Sequence, residues 1–188
     1  VRNGIIARMH PALIAAATED MDDDDLAEML RSLPETIYQE VIGSMASQDR
    51  ERATLALSYP EGSAGALMNT DTVTIRPDVT LDVVLRYLRL KGDLPEGTDE
   101  LYVVDKKNSF LGAVSLATLL TRNPDLSVRE VMDEHCESIP VTMDESEVAQ
   151  LFERRNWISA PVVDESQHVL GRITIDDIVD VIREAAEH

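Results

Sequence analysis

The chain has 188 residues, enough for one or two small domains, and its 36 acidic and 17 basic residues leave a formal net charge of −19. Such an acidic chain disfavours a nucleic-acid partner, because phosphate binding relies on clustered lysine and arginine, and it suits cations instead. No run approaches the roughly 18 apolar residues of a membrane helix, no signal peptide is visible, and a single cysteine, Cys136, excludes an internal disulfide framework and is typical of a reducing compartment.

Residues 1–58 are predicted to be helical throughout. Leu26 and Leu30 recur at helical spacing and begin one apolar stripe. Pro34 then ends this helix or opens the next. Short helices joined by tight turns indicate a small bundle or a helical solenoid. Because the chain begins with Val1 rather than methionine, we expect it to be a piece of a longer protein.

The remainder alternates predicted strands and helices, and the alternation occurs twice. Residues 100–120, ELYVVDKKNSFLGAVSLATLL, align with residues 159–179, SAPVVDESQHVLGRITIDDIV, at a shift of 59. Upstream, residues 73–75 followed by a helix from Thr80 align with residues 139–141 followed by a helix from about Asp144, at a shift of 66. The difference predicts a seven-residue insertion in a surface loop. Units of about 60 residues bury little surface alone, so we expect the two repeats to pair face to face.

The last helix, predicted to begin near Asp176, has an apolar and an acidic side. The apolar side is predicted to contain Ile178, Val181, Ile182 and Ala185, and the acidic side Asp176, Asp177, Asp180, Arg183 and Glu184. Like charges at i,i+4 cost roughly 0.2–0.5 kcal/mol per pair, and the helix dipole offsets them only in the first turn. Asp24 and Glu28, also four residues apart, project away from the stripe of the first helix. Taken alone, these acids are interpreted as solvated faces.

The repeat resembles the cystathionine-β-synthase (CBS) domain pair, over roughly residues 66–185. The residues that carry the resemblance are PVVDESQHVLGRITIDDI, with Gly171 in the turn and the Thr-x-x-Asp of Thr174 and Asp177. The first copy, YVVDKKNSFLGAVSLATL, has Ser115-x-x-Thr118 instead. The implied fold is α+β.

A second resemblance is to the MgtE family of magnesium channels, in which a helical N-terminal domain precedes the CBS pair. It rests on DDLAEMLRSLP and on SYPEGSAGALM at residues 58–68. The implied domains are residues 1–58 (the C-terminal part of the helical N domain), 59–124 (the junction and first CBS domain) and 125–188 (the second CBS domain and the start of a connecting helix). The family's transmembrane domain would follow.

The MgtE resemblance implies a Mg²⁺ sensor. In that family, acids at the positions of Asp24 and Glu28 face acids on the CBS pair, here Asp177 and Asp180, with Mg²⁺ between them. A further family acid corresponds to Asn156, which offers a carbonyl oxygen but no charge. Mg²⁺ prefers oxygen ligands and keeps several waters, so one or two carboxylates per ion suffice.

CBS pairs also bind adenine nucleotides, and the resemblance implies a possible ATP site. Thr174 and Asp177 match the positions that contact phosphate and ribose, and Tyr102 and Trp157 match the residues that flank the base in MgtE-like proteins. The first repeat has Ala117 and Thr118 where the family has the arginine and aspartate for phosphate and ribose. For Trp157 the alternative is an ordinary core or rim aromatic.

No catalytic motif, Gly-rich phosphate loop or zinc spacing is present, so the chain is not predicted to be an enzyme. The preferred hypothesis is a Mg²⁺-responsive gating module on the cytoplasmic face of a bacterial plasma membrane. It is predicted to form a homodimer through the CBS pair and to act on the transmembrane domain of the same chain. The alternatives are a nucleotide-sensing CBS module and a plain interaction domain whose acids serve solubility.

Overall fold

The computed structural model describes residues 28–44 and 57–187. Its helices are α1 (Glu35–Ser44), α2 (Ala64–Leu67), α3 (Leu81–Lys91), α4 (Leu116–Thr121), α5 (Val128–Val131), α6 (Glu145–Arg155) and α7 (Ile175–Glu187). Its strands are β1 (Thr74–Ile75), β2 (Glu100–Val104), β3 (Phe110–Ser115), β4 (Ile139–Pro140), β5 (Ser159–Val163) and β6 (Val169–Thr174). This mixture confirms the predicted α+β class. Within the described ranges no helix is long and apolar enough to cross a bilayer.

The helical start agrees with the predicted break at Pro34. Residues 28–31 are helical, and α1 begins directly after Pro34. Proline suits the first turn of a helix because the N–H that it lacks would be unpaired there. Leu30 and Val41, one in each of these two helical segments, are buried. The beginning of the first predicted helix, with Leu26, lies outside the described residues.

Both repeats build the same three-stranded sheet, with the orders β1-β2-β3 and β4-β5-β6. In each, the first strand is parallel to the second, and the second is antiparallel to the third. The second strand carries an irregularity at the same place, after Val103 in one repeat and after Val162 in the other. The predicted shift of 59 residues is therefore confirmed over these strands.

The upstream shift of 66 residues is wrong, because the structure aligns the first helices of the repeats at a shift of 64. The N-caps Thr80 and Asp144 correspond, and so do the C-caps Gly92 and Asn156. The pairing of β1 with β2 and of β4 with β5 gives the same alignment. The first repeat is thus longer by five residues rather than seven. All five lie in the loop 93–99, between α3 and β2.

Each repeat has its own core, and a further cluster joins the two. In the first repeat Leu81, Leu101 and Val114 are among the buried residues, and in the second Phe152, Ile173 and Ile178. The joining cluster consists of Tyr102, Val104, Ala113, Val163 and Val169. Because it unites β2 and β3 with β5 and β6, the predicted face-to-face pairing of the repeats is confirmed.

Two equivalent glycines allow the main chain to cross the third strand of each sheet. A Cβ at Gly112 would lie 2.5 Å from the carbonyl oxygen of Asp133, and one at Gly171 would lie 2.5 Å from that of Asn69. Both approaches are set by backbone bridges next to the glycines, on β3 and on β6. Any side chain here would push the crossing segment away. This close approach explains why the repeat keeps a glycine at this position.

The last helix buries a narrower face than the periodicity predicts. Ile178 and Val181 are buried as expected. Ile182 and Ala185, assigned to the same side, are exposed, and this part of the prediction is wrong. Asp177, assigned to the polar side, is only 6% exposed. α7 contacts α6 and β6. Its buried residues are Asp177, Ile178 and Val181, and every residue from Ile182 to Glu187 is exposed.

Candidate functional site

A cavity of ≈ 400 Å³ lies between the helical start of the molecule and the second repeat; we call it the acidic cavity. The acids that line it are Glu28, Glu61, Glu145, Asp177, Asp180, Glu184 and Glu187, and the basic residues are Arg31 and Arg183. Three of the five predicted metal ligands, Glu28, Asp177 and Asp180, are therefore brought together. That they bind a metal stays a prediction.

Hydrogen bonds to main-chain groups hold the walls of the acidic cavity in place. The N–H of Glu145 donates to the carbonyl of Gly62 at 2.8 Å, which joins α6 to the segment that leads into α2. Ser63 caps α2 and bridges to Asp144. On the other wall, Arg31 Nη2 donates to the carbonyl of Tyr59 at 3.0 Å. The helical turn that contains Glu28 is thus tied to the same segment as the acids of α6.

Asp177 has a structural role as well as a place in the cavity. Its Oδ2 accepts from the N–H of Thr174 at 2.9 Å and from the Thr174 hydroxyl at 3.1 Å. Asp177 thereby pairs the N–H of Thr174 at the start of α7, as the third helical residue of a capping box does. Capping, not solvation, is therefore why an acid on the polar side of the helix is buried.

Negative charges around this cavity disfavour the ionised form of Glu145. Burial, together with Glu184, Asp144 and Glu61, raises the pKa of Glu145 above its ordinary value. A carboxylate in this position is destabilised by its neighbours and would be stabilised by a cation. Among the described residues, no three His, Cys, Asp or Glu side chains stand close enough to chelate a metal ion directly.

The other two predicted metal ligands are not at the acidic cavity in the described structure. Asp24 lies outside the described residues. Asn156 is the C-cap of α6, in a left-handed conformation with φ 54°, and lines a different cavity. Left-handed backbone is tolerated by asparagine better than by most residues, which gives Asn156 a structural reason for its place.

This second cavity, of ≈ 310 Å³, lies between the two repeats; we call it the inter-repeat cavity. Its lining residues are Asp99, Glu100, Asp133, His135, Cys136, Glu137, Asn156, Trp157, Ile158 and Ser159. Trp157 is half-buried and packs edge-on against Phe152, with ring centroids 5.5 Å apart. Tyr102 is 1% exposed and belongs to the joining core, with its hydroxyl 3.3 Å from Ser159 Oγ.

The inter-repeat cavity is electrostatically hostile to a polyphosphate. Burial, with Asp99 and Asp133, raises the pKa of Glu100 from 4.5 to about 7. Burial and the same acidic surroundings raise the pKa of Cys136 to about 12, so its thiol stays protonated. Among the described residues that line the cavity there is no lysine or arginine. The donor set therefore does not fit the phosphates of ATP.

The four predicted nucleotide residues are not gathered at one cavity. Trp157 lines the inter-repeat cavity, whereas Asp177 lines the acidic cavity. Thr174 is buried and hydrogen-bonded to Asp177, and Tyr102 is closed into the joining core. Their role in nucleotide binding stays a prediction.

Sequence reasoning missed the acids that complete the acidic cavity. Glu61 comes from the junction before α2 and Glu145 from the first turn of α6. Neither residue lies four positions from another acid in its own segment, so neither belongs to the acidic pairs by which the other candidates were identified. The only available signal was that Glu61 lies within SYPEGSAGALM, the segment already identified as distinctive.

The sequence matches the MgtE intracellular N domain over residues 1–62 and the CBS domain over residues 64–124 and 128–184. It is 33% identical over 172 residues to the magnesium transporter MgtE of Bacillus subtilis (strain 168), covering 91% of this chain and 38% of that protein. It is 31% identical to the magnesium transporter MgtE of Thermus thermophilus over 87% of this chain and 37% of that protein. The chain thus spans well under half of these relatives.

Two solved structures have the same fold. One is the soluble part of a magnesium transporter, with a TM-score of 0.91 and 29% identity, covering 98% of this chain and 72% of that one. The other is the cytosolic domain of the Mg²⁺ channel MgtE in complex with ATP, with a TM-score of 0.84 and 28% identity, covering 95% and 78%. The predicted helical domain followed by a CBS pair is confirmed. These relatives are transporters, which agrees with the prediction that the chain is not an enzyme.

Proposed function

Because the chain belongs to the MgtE family, we propose that it is the regulatory region of a magnesium transporter and that Mg²⁺ closes its helical region against its second CBS repeat. The observation that carries the proposal is the acidic cavity, where Glu28 of the helical region faces the same space as Asp177 and Asp180 of α7. Closure would restrain the pore through a connecting helix after α7. On this proposal the module lies on the cytoplasmic face of the membrane.

The chemistry of the acidic cavity suits Mg²⁺. The ion prefers octahedral oxygen coordination and gives up its water reluctantly, so carboxylates commonly reach it through water. A space of ≈ 400 Å³ holds on the order of ten water molecules at roughly 30 Å³ each, which is enough for one or two hydrated ions. Glu28 and Asp180 are exposed, so both keep contact with solvent from which the ion arrives.

The proposed switch follows from charge. Seven acids and two arginines leave the lining with an excess of negative charge, so the acids around the cavity repel one another in the absence of a cation. Mg²⁺ between them converts repulsion into attraction. The ion shifts the balance only by its higher affinity for the closed arrangement.

We further propose a homodimer through the CBS pair. Ile175, Val179 and Ile182 are exposed at i, i+4 and i+7 on α7. Val83, Tyr87 and Leu90 repeat this spacing on α3. A monomer would leave both apolar stripes in water, and a second copy offers the same stripes in return. The division at residues 58 and 124 is kept as a proposal for the domain boundaries.

A second candidate is nucleotide sensing, favoured by the ATP complex of the similar cytosolic domain. The acids of the inter-repeat cavity oppose it here, since a triphosphate would meet Asp99, Glu100 and Asp133. Calorimetric titration with ATP separates the two functions. Saturable heat at micromolar ATP would favour nucleotide sensing, and its absence up to millimolar ATP would remove it.

The proposed Mg²⁺ site is tested with two matched variants of α7. Asp180→Asn removes a carboxylate that lines the acidic cavity, whereas Asp176→Asn removes one from the same helix outside it. We expect the first to weaken Mg²⁺ binding measured by calorimetry about three- to ten-fold, as for loss of one water-mediated ligand. We expect the second to leave the affinity unchanged. Equal effects would mean that only general charge matters, and would contradict the site.

A further inference from the structure

The inter-repeat cavity contains acids that the proposed Mg²⁺ function does not use. Asp99 and Glu100 come from the start of β2 and the loop before it. Asp133 and Glu137 come from residues 132–138, which lead from α5 of the first repeat to β4 of the second and which we call the linker. A change of charge in this cavity therefore acts where the two repeats and the segment that connects them meet.

Glu100 is the acid of this cavity whose charge changes near neutral pH. It is half-buried at the start of β2. Burial, together with the carboxylates of Asp99 and Asp133, raises the pKa of Glu100 from 4.5 to about 7. An ordinary glutamate is fully ionised at that pH. Glu100 consequently exchanges a proton in a range where most surface carboxylates do not respond.

The groups that surround Glu100 give its charge little compensation. Among the described residues that line the cavity there is no lysine or arginine. Arg155 is engaged with Glu137 at 2.8 Å, and Arg172 acts on the hydroxyl of Tyr102. Burial raises the pKa of Cys136 to about 12 and also raises the pKa of Tyr102, so both stay protonated near neutrality. The imidazole of His135 lines the cavity too, and histidine is the other residue type that commonly titrates in this range.

The linker is held to the first repeat by few contacts. The N–H of Asp133 donates to the carbonyl of Ala113 at 2.8 Å, and the N–H of Ala113 donates to the carbonyl of Asp133 at 3.2 Å. Cys136 packs against the joining core cluster, and Glu137 pairs with Arg155 of α6. More than half of the linker residues are exposed. Such a segment can move as a unit while the two sheets stay folded.

The two repeats also contact each other beside Glu100. The Ser159 hydroxyl of β5 donates to Oδ1 of Asp99 at 2.5 Å, and the Tyr102 hydroxyl lies 3.3 Å from Ser159 Oγ. When Glu100 ionises, a second negative charge stands next to the carboxylate that receives this bond. The proton on Glu100 therefore bears on the linker and on a direct contact between the repeats.

We propose that the inter-repeat cavity is a pH-responsive joint, in which loss of the proton from Glu100 releases the linker from the first repeat. With Glu100 neutral, the paired main-chain bonds between Asp133 and Ala113 stay formed. With Glu100 ionised, its charge repels Asp133, the linker moves away from β3 and the cavity opens to solvent. The joint is thus closed below neutral pH and open above it. It does not depend on the proposed Mg²⁺ function.

Trp157 provides the first test, because it is the one tryptophan of the chain and it lines this cavity. Its fluorescence should show a transition centred at about pH 7 in the unaltered chain. Glu100→Gln should abolish the transition. The matched variant Glu134→Gln, at an exposed linker carboxylate outside the lining, should retain it, and so should His135→Gln. Asp133→Asn should move the midpoint to lower pH, because it removes a charge that opposes ionisation.

A chain without this fluorescence transition overturns the proposal. The same holds for a transition that survives Glu100→Gln or that disappears in His135→Gln. If Glu100→Gln does not fold, Asp133→Asn decides, and a midpoint that it leaves unmoved overturns the proposal.

Hydrogen–deuterium exchange tests the movement of the linker itself. The amides of Asp133 and Ala113 are the reporters, since both are hydrogen-bonded only while the linker is seated on β3. At about pH 8 they should exchange at least about five-fold faster in the unaltered chain than in Glu100→Gln, and at about pH 5 the two proteins should agree. Comparing the proteins at the same pH cancels the intrinsic pH dependence of exchange. Equal protection at the higher pH would overturn the proposal.

Discussion

At the scale of single residues, the carboxylate of Asp177 is already hydrogen-bonded within the protein in the absence of a ligand. Its Oδ2 already accepts twice from Thr174, and it lines the acidic cavity rather than the inter-repeat cavity. The Thr-x-x-Asp spacing in the sequence identified the two residues as a pair. It did not show that they bond to each other, because the same spacing serves a helix cap and a nucleotide site equally well.

The raised pKa of Glu100 predicts that the stability of the fold depends on pH. Its pKa of about 7, against 4.5 in the unfolded chain, means that the folded state holds the proton longer than the unfolded state. Stability that depends on Glu100 is therefore fully present below pH 4.5 and is lost as the pH rises to about 7. Glu100→Gln removes this loss, so at pH 8 the variant should be more stable by on the order of 1–2 kcal/mol.

Urea unfolding of the Glu100→Gln variant at pH 8 and pH 4.5 provides the measurement. The difference from the unaltered chain should vanish at the lower pH. Glu134→Gln, at an exposed carboxylate in the segment between α5 and β4, is the control and should change neither value. A Glu100→Gln variant that is less stable than the unaltered chain at pH 8 would contradict the account.

At the scale of elements, the repeat was predictable from the sequence because the two copies have the same backbone geometry in their strands and turns. The strands β2, β3, β5 and β6 keep equivalent bulges, turns and crossing glycines, so a shift of 59 was visible in the sequence. The upstream shift was misplaced by two residues, since β1 and β4 are two residues long and offer no pattern of their own. The alignment is fixed by the caps Thr80 and Asp144, whose side chains accept from the N–H groups of Val83 and Ser146.

The exposed face of α7 shows the limit of periodicity. A hydrophobic stripe predicts that one face of a helix is buried, but it does not identify the part of the protein, or the second protein, that covers this face. Ile178 and Val181 face the core, whereas Val179 and Ile182 do not. The sequence alone could not separate the two sets because one partner lies within the chain and the other, on our proposal, is a second copy.

The dimer proposal is tested at Val179. Val179→Glu should place a charge in the centre of the proposed interface and weaken dimerisation at least about ten-fold in analytical ultracentrifugation, since an unpaired buried charge is strongly unfavourable. Ser166→Glu adds the same charge to an exposed turn between β5 and β6, outside both stripes, and should leave the dimer intact. Loss of the dimer in both variants, or a monomeric unaltered chain, would count against the interface.

At the scale of the whole molecule, the net charge is −19, and acidic residues line both the acidic cavity and the inter-repeat cavity. The acidic cavity joins three parts of the chain that are far apart in sequence: residue 28, residues 61–67 and the helices of the second repeat. Composition predicted a cation partner, and the resemblance to the MgtE family predicted which helices face each other. Neither predicted the contribution of Glu61 and Glu145, because it arises only when the junction folds between the two domains.

The central claim is that Mg²⁺ draws the helical region onto the CBS pair, and small-angle X-ray scattering tests it most directly. The radius of gyration should fall on addition of MgCl₂ up to tens of millimolar. KCl at equal ionic strength should not reproduce the fall, because screening alone weakens repulsion without bridging the walls. The combined variant Glu28→Gln, Asp180→Asn should lose most of the response. A radius of gyration unchanged by MgCl₂, or changed equally by KCl, would contradict the claim.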